Sequence, residues 1–159
     1  MDARPMTWAK YEVQPEYTYI ADISGGPDAI FSNFKKQLRT DLKKTIKEGV
    51  TVEEGGKPEL DIIQETLAAR FEQQGVATSL TKKDLRDLYE AFHPQNLRIF
   101  TAKYKGDQVG GFICVCHPDR ASYWAGGGKT DIKGIYPNDL LQFEAMKWAH
   151  SQGYKRYEI

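Results

Sequence analysis

Three β-type segments follow one another in the second half of the chain, separated only by short turns. The segments read LRIFTAKY, QVGGFICVC and ASYWAG, and the connecting turns are KGD and HPDR. Turns of this length join neighbouring antiparallel strands, so the pattern predicts a three-stranded meander. Residues 112–116 of the middle segment are apolar at successive positions, which predicts a central strand covered on both faces.

Helical and extended patterns alternate on either side of this meander. A strand at residues 17–23, a long amphipathic helix at 28–48, the short strand VTVEE and two further helices precede it. A helix from Pro137 to Ser151 and a last strand, RYEI, follow it. We therefore predict a mixed α/β fold with a mostly antiparallel sheet flanked by helices. The long helix is inferred from apolar residues at every fourth position: Ile30, Phe34, Leu38, Leu42 and Ile46.

The order of meander, helix and strand resembles the GNAT acyltransferase fold. In that fold the strand before the helix splays away from its neighbour, and the acyl donor lies in the gap. We expect residues 1–16 to be a leader or linker and residues 17–159 to form a single GNAT-like domain. The end of the chain inside the strand-like YKRYEI predicts that this domain is truncated at its carboxyl end.

The charge balance and the lack of long apolar segments limit the partners and the cellular location that we expect for this chain. The 159 residues include 22 basic and 22 acidic ones, so the net field of the chain favours neither DNA nor a membrane surface. No apolar run approaches the roughly 20 residues that span a bilayer. The first residues, MDARPMTWAK, lack the apolar core of a signal peptide. We expect a cytoplasmic protein without a transmembrane segment.

Cysteine and histidine spacing argues against a metal site and against a catalytic triad. Cys114 and Cys116 point to the same side of a predicted strand, where a disulfide between them would be strained. They have neither a CxxC partner nor clustered histidines, so we expect two buried reduced thiols and no metal. The three histidines have no serine or cysteine at the spacing of a known triad motif.

The glycine run in YWAGGGKTD does not fit a nucleotide-binding loop. A P-loop requires a glycine five positions before Gly128, where this chain has Tyr123. The next helix also begins too late, at Pro137. The glycine-rich entry that holds acetyl-CoA in ordinary GNAT enzymes is absent, since KTDIKGIYPN offers only Gly134. These departures disfavour a nucleoside triphosphate or acetyl-CoA held by a backbone cradle.

Basic residues concentrate on the first long helix, in KKQLRTDLKK. Arg39, Lys43 and Lys44 lie off its apolar stripe, and an excess of positive charge there suits a phosphate group or an RNA backbone. The alternative is a solvated helix face that keeps the protein soluble. Arg70 has two interpretations as well. It either reaches into a cleft to bind a carboxylate or phosphate, or lays its stem over the core.

The chain resembles a known family over nearly its whole length from about Pro15. YWAGGGKTDIKGIYPNDLLQFEAMKWAHSQGYKRYEI, PEYTYIADISGGPDAIFSNFKKQLRTDLKKTIKEGVTVEEG, ETLAAR and FHPQNLRIFTAKYKGDQVGG carry the likeness. Together they resemble the second GNAT-like half of the Fem-type aminoacyltransferases, which build peptidoglycan interpeptide bridges. The likeness consists of many weak positions and contains no single diagnostic motif.

This resemblance implies transfer of an amino acid from aminoacyl-tRNA to an amine of a phosphate-bearing cell-wall peptide precursor. Such aminolysis needs orientation and oxyanion stabilisation more than a nucleophile, and it needs no cofactor beyond the tRNA-borne donor. No catalytic residue is assigned. The predicted substrate-binding residues are Arg39, Lys43 and Lys44 for the precursor phosphates, with Arg70, Tyr123, Gly126, Gly127, Tyr136 and Asn138 around the cleft.

Two departures from the family qualify this expectation. Family members contain two such halves, whereas this chain holds one, so a companion half is expected. The family also continues beyond the strand YEI into a segment whose lysine is tied to catalysis, and we expect this chain to be inactive alone. The alternatives are an N-acyltransferase that uses acyl-CoA and a non-catalytic GNAT-like scaffold.

Overall fold

A computed structural model describes residues 4–12 and 17–159. Six α-helices, one 3-10 turn and six β-strands occupy these residues. In chain order they are α1 (Arg4–Trp8), β1 (Ile20–Asp22), α2 (Gly26–Asn33), α3 (Lys36–Lys47), β2 (Thr51–Gly55), the 3-10 turn (Lys57–Glu59), α4 (Leu60–Gln73), α5 (Lys82–Phe92), β3 (Leu97–Tyr104), β4 (Asp107–Cys116), β5 (Ala121–Gly128), α6 (Pro137–Ser151) and β6 (Arg156–Glu158).

The strands form one mixed sheet in the order β1-β6-β5-β4-β3-β2. Every neighbouring pair is antiparallel except β5 and β6, which are parallel because α6 connects them across the sheet. The predicted meander is confirmed, and β4 lies inside the sheet between β3 and β5. The predicted mixed α/β fold with a mostly antiparallel sheet is therefore confirmed.

Two apolar clusters cover the two faces of the sheet. Phe112 and Cys114 of β4 pack into a large cluster with α2, α3 and α6. Ile113 points to the opposite face and packs in a smaller cluster with residues of α4 and α5. This alternation explains the continuous apolar run of β4, because a strand covered on both faces buries successive side chains.

The predicted single helix at residues 28–48 is wrong, since the segment forms two helices, α2 and α3. Phe34 and Lys35 both have extended backbone, with ψ of 148°, and separate them. A helix turns once per 3.6 residues, so apolar residues spaced by four drift around its surface by about 40° at each step. The break lets the second helix start in a new direction, and Ile46 at the end of the stripe is 49% exposed.

The remaining boundaries follow the sequence patterns with one further correction. The strand predicted at residues 17–23 is shorter than expected, because β1 spans only Ile20–Asp22. The helix predicted from Pro137 to Ser151 has those bounds. Thr81 caps α5 through a reciprocal pair of hydrogen bonds with Asp84, which together form a capping box. Residues 1–3 and 13–16 of the predicted leader lie outside the described residues.

Candidate functional site

Strand β5 separates from β6 almost as soon as the two strands meet. Their pairing consists of Ala121 with Tyr157 and Ser122 with Glu158. On its other edge β5 stays paired with β4 as far as Gly128. Within the described residues, β5 beyond Ser122 therefore has no strand partner on the β6 side. This is the divergence of strands expected for a GNAT-like sheet, and it opens a gap beside Tyr123.

A β-bulge marks the place where this gap begins. Cys114 pairs with Tyr123 and Ile113 pairs with Ala125, which leaves Trp124 as an extra residue on β5. A bulge bends its strand and redirects the side chains next to it. Tyr123 is half-buried against Phe112, with ring centroids 5.1 Å apart, whereas Trp124 is 42% exposed. Two neighbouring aromatic side chains thus line the opening.

One cavity at this opening lies between α4 and β5. It has a volume of about 320 Å³ and is lined by Leu67, Arg70, Phe71, Gln74 and Leu80, together with residues 123–126 of β5.

Arg70 lies beside the end of β5 at this cavity. Its Nη1 would be 3.8 Å from a Cβ placed on Gly127. Burial raises the pKa of Tyr123, and the positive charge of Arg70 and a hydrogen bond to it partly offset that rise. The structure therefore brings together four of the predicted residues, Arg70, Tyr123, Gly126 and Gly127.

Gly126 is required by the close approach of β4 and β5. Its φ is +137°, and a Cβ at this position would lie 2.5 Å from the Cα of Phe112. The hydroxyl of Tyr123 donates a hydrogen bond to the carbonyl oxygen of Gly126, which fixes the tyrosine side chain along β5. Gly127, in contrast, lies beside Arg70, and a Cβ there would make only an ordinary contact with the Nη1 of that residue.

The amino-terminal end of α6 is covered by the protein itself. Gly128 packs so closely on it that a Cβ there would lie 2.8 Å from the backbone nitrogen of Asn138. The backbone N–H of Tyr136 donates a hydrogen bond of 3.1 Å to the buried Oγ1 of Thr45. Asp139 stands in the first turn, and burial, followed by the nearby charge of Asp41, raises the pKa of its carboxyl.

The predicted basic residues of α3 lie in two different environments. Arg39 donates hydrogen bonds from Nη1 to the carbonyl oxygens of Ser32 and Phe34, each at 2.7 Å. The ammonium of Lys43 lies 5.7 Å from the centre of the Phe31 ring. Both residues are thus engaged with α2 and the break that follows it.

Lys44 is directed towards the connection between β5 and α6. Its Cε would be 3.0 Å from a Cβ on Gly134, so the side chain lies along that backbone. Tyr136, which is 40% exposed, and Asn138 belong to the same region. The structure thus separates Lys44, Tyr136 and Asn138, at the start of α6, from Arg39 and Lys43.

A second cavity, of about 670 Å³, lies on the other side of the bulge. Leu88 and Phe92 of α5 line it, as does Glu158 of β6. Tyr123 and Trp124 line both cavities, so the two spaces share the bulge as a wall. Sequence reasoning missed Trp124 and Glu158. Trp124 could have been found as an aromatic residue close to the glycine run, whereas no sequence motif around Glu158 points to a role for that residue.

The sequence analysis also predicted two buried thiols, no metal site and no transmembrane segment. Cys114 and Cys116 are free and buried, as expected. A hydrogen bond with Cys116, followed by burial, raises the pKa of Cys114. Over residues 4–12 and 17–159 there is no group of three or more side chains suited to hold a metal ion. None of the helices in that part of the chain has the length and apolar character to cross a membrane.

The family model for the acetyltransferase (GNAT) domain matches residues 32–159. The chain belongs to this GNAT acetyltransferase family. The matched range runs from the end of α2 to the last residue and includes every residue that lines the two cavities except Thr18. The predicted membership of an acyltransferase family is therefore confirmed. No curated protein sequence matches the chain.

Solved structures with the same fold include FemX, which is 16% identical, with a TM-score of 0.84. The match covers 92% of this chain and 53% of the FemX chain, so this chain spans about half the length of that protein. The C-terminal domain of a putative lysylphosphatidylglycerol synthetase from Agrobacterium fabrum is 13% identical, with a TM-score of 0.59, over 89% of this chain and 45% of that one.

An aminoglycoside acetyltransferase from an uncultured soil metagenomic sample, solved in complex with sisomicin, is 17% identical. Its TM-score is 0.52, and the match covers 69% of this chain and 75% of that one. At such identities these likenesses describe the fold. They confirm the Fem-like GNAT architecture predicted from the sequence.

Proposed function

We propose that this chain is the substrate-binding half of a Fem-type aminoacyltransferase. The reaction transfers an amino acid from aminoacyl-tRNA to an amine of a phosphate-bearing, cell-wall-type peptide precursor. One observation carries the proposal: the start of α6 is covered by Gly128 and bears Asp139, whereas the cleft beside Arg70 is open.

The start of α6 bears on the choice of acyl donor. A helix amino terminus binds a diphosphate through exposed backbone N–H groups and its partial positive charge. Here Gly128 packs against the backbone nitrogen of Asn138, and the carboxyl of Asp139 stands in the first turn next to the charge of Asp41. Coenzyme A would meet backbone and acidic groups at this point. An aminoacyl ester of tRNA brings no diphosphate to this helix end, so it fits better.

The phosphate-binding role is best suited to Arg70 and Lys44. Arg70 presents a planar guanidinium to an open cavity, the geometry that favours paired hydrogen bonds with phosphate oxygens. Lys44 lies against Gly134 in the connection that follows β5, and in the described part of the chain it has no acidic partner. Arg39 donates to two carbonyl oxygens from Nη1 alone, which leaves Nε and Nη2 for a ligand.

For this aminolysis the main task of the protein is to orient the acceptor amine and the ester. The acceptor amine attacks the ester carbonyl carbon, the C–O bond to the ribose breaks, and the proton lost by the amine goes to the leaving hydroxyl. Tyr123 stands at the wall between the two cavities, and its raised pKa keeps its hydroxyl protonated at neutral pH. We therefore assign Tyr123 a positioning role and not the role of a base.

Calorimetric titration tests the proposal. A nucleotide-diphosphate-linked muramyl peptide should bind the wild-type chain, and Arg70→Ala should weaken that binding by about tenfold or more. Lys47→Ala, which removes a positive charge from the end of α3, serves as the control and should have little effect. Acetyl-CoA should not bind, and labelled aminoacyl-tRNA supplied with a companion half should transfer its amino acid to the peptide.

Two results would overturn this assignment. One is saturable binding of acetyl-CoA followed by acetylation of an amine, which would instead establish the acyl-CoA alternative. The other is unchanged affinity for the muramyl peptide in Arg70→Ala.

A further inference from the structure

The cavity beside α5 is the larger of the two that flank the bulge, at about 670 Å³. Its volume is in the range of cavities that bind small molecules. The lining is largely apolar and comes from several elements: Leu88, Phe92, Leu97, Val115, Pro118 and Trp124. Phe92 and Trp124 are 47% and 42% exposed, so large apolar surfaces stand open to a ligand at its rim.

Glu158 is the carboxylate that lines this apolar space. Its side chain is 20% exposed, and both of its hydrogen bonds are made by one oxygen. Oε2 accepts from Nε of Arg120 at 2.7 Å and from Oγ of Ser122 at 2.8 Å. Within residues 4–12 and 17–159, Oε1 has no hydrogen-bond partner.

The charges around Glu158 leave that oxygen available. Arg120 directs its Nη1 to Asp119, at 3.1 Å, and not to Oε1. Arg156 also faces Asp119, at 3.5 Å. The other titratable residues lining the cavity are Cys116, His117 and Tyr123. A half-buried carboxylate with one uncommitted oxygen beside apolar surface suits a ligand that joins an ammonium group to an apolar body.

We propose that this cavity binds the aminoacyl group of the donor, with its α-ammonium at Oε1 of Glu158 and an apolar side chain against Phe92 and Trp124. The inference rests on the proposed function, because an aminoacyl ester is a ligand with these two parts. It also deepens that function by naming the amino-acid class as apolar.

The position of the cavity agrees with this assignment. Tyr123 and Trp124 form the wall shared with the cavity that contains Arg70. An aminoacyl group held at Glu158 places its ester near this wall, and a precursor held at Arg70 approaches from the other side. The two reactants therefore meet at the bulge.

Binding of simple amides tests the assignment without tRNA. At about pH 6.5 the α-amine of L-phenylalaninamide is protonated. This amide should bind the wild-type chain at least tenfold more tightly than N-acetyl-L-phenylalaninamide, measured by calorimetry or ligand-observed NMR. L-Glutamic acid α-amide, which carries a second carboxylate, should bind more weakly still.

Matched variants locate the effect. Glu158→Gln should lower the affinity for L-phenylalaninamide to that of the acetylated amide, whereas Glu144→Gln, on α6, should leave it unchanged. If Glu158→Gln fails to fold, the comparison of the two amides on the wild-type chain still tests whether the cavity recognises the α-ammonium group. Equal affinity for the two amides, unchanged affinity in folded Glu158→Gln, or no saturable binding of L-phenylalaninamide would each overturn the inference.

Failure here is distinguishable from failure of the proposed function. If the muramyl peptide binds through Arg70 while neither amide binds, the cavity assignment is wrong and the aminoacyltransferase proposal stands. If acetyl-CoA proves to be the donor, the aminoacyltransferase proposal is the one that fails.

Discussion

Arg39 donates a hydrogen bond of 2.7 Å to the main-chain carbonyl oxygen of Phe34, the residue that follows α2 as its C-cap. Carbonyl groups at the carboxyl end of a helix lack partners within the helix, and a guanidinium is a strong donor for them. A second bond from the same nitrogen reaches Ser32. Arg39, predicted as a phosphate ligand, therefore also stabilises the junction between α2 and α3.

Replacing Arg39 should lower the stability of the fold. We expect Arg39→Ala to reduce the free energy of unfolding by about 1–3 kcal/mol, because two carbonyl groups lose a charged donor. Urea denaturation followed by circular dichroism measures this change. Lys47→Ala on the same helix should stay within about 0.5 kcal/mol of wild type. An equal effect of the two substitutions would show that the Arg39 bonds contribute nothing.

Gly126→Ala should be far more harmful than alanine at another glycine with positive φ. A Cβ at position 126 would lie 2.5 Å from the Cα of Phe112, so β4 and β5 would have to move apart. Gly153 has φ of +89° and no atom near its Cβ position, so alanine there costs only about 1–2 kcal/mol of backbone strain. Comparing the melting temperatures of the two variants separates the effect of the steric clash at position 126 from the backbone strain that both variants share. Similar melting temperatures would contradict the predicted close approach.

Glu158 should make the stability of the protein sensitive to acid. Hydrogen bonds from Arg120 and Ser122 lower its pKa below the ordinary value of 4.5 in the folded state. The resulting stabilisation is complete above pH 4.5 and is lost as the pH falls through the lower, folded-state pKa.

Comparison with Glu158→Gln measures this contribution. The free energy of unfolding of wild type should exceed that of the variant at pH 7, and the difference should shrink as the solution is acidified. A difference that does not depend on pH would show that the ionised carboxylate is not stabilised by the fold.

Tyr123→Phe tests the hydrogen bond that holds the aromatic wall. The substitution removes the hydroxyl that donates to the Gly126 carbonyl oxygen, which should cost about 0.5–1.5 kcal/mol. Tyr104→Phe is the control, since the Tyr104 hydroxyl makes no hydrogen bond within the described residues. Chemical denaturation measures both variants. A loss of transfer activity in Tyr123→Phe far beyond its loss of stability would indicate a role beyond positioning.

Local patterns predicted most of the elements but not their relative directions. The meander, the capped start of α5 and the bounds of α6 depend on turns, caps and apolar spacing that lie within a few residues. The break between α2 and α3 was missed because each half of the stripe fits a helix. Only packing against the rest of the core requires the change of direction after Phe34, and Arg39 stabilises the result.

The order of elements, the mixed fold, the family resemblance and the absence of a phosphate-binding glycine loop all follow from the amino-acid sequence, because each depends on neighbouring residues. The bulge at Trp124, the covered start of α6 and the meeting of two cavities at Tyr123 depend on strand register and on contacts between distant segments. Glu158 joins the site only because β6 pairs with the first residues of β5. Such contacts form only when the whole core packs, so they cannot be predicted from short stretches of the sequence.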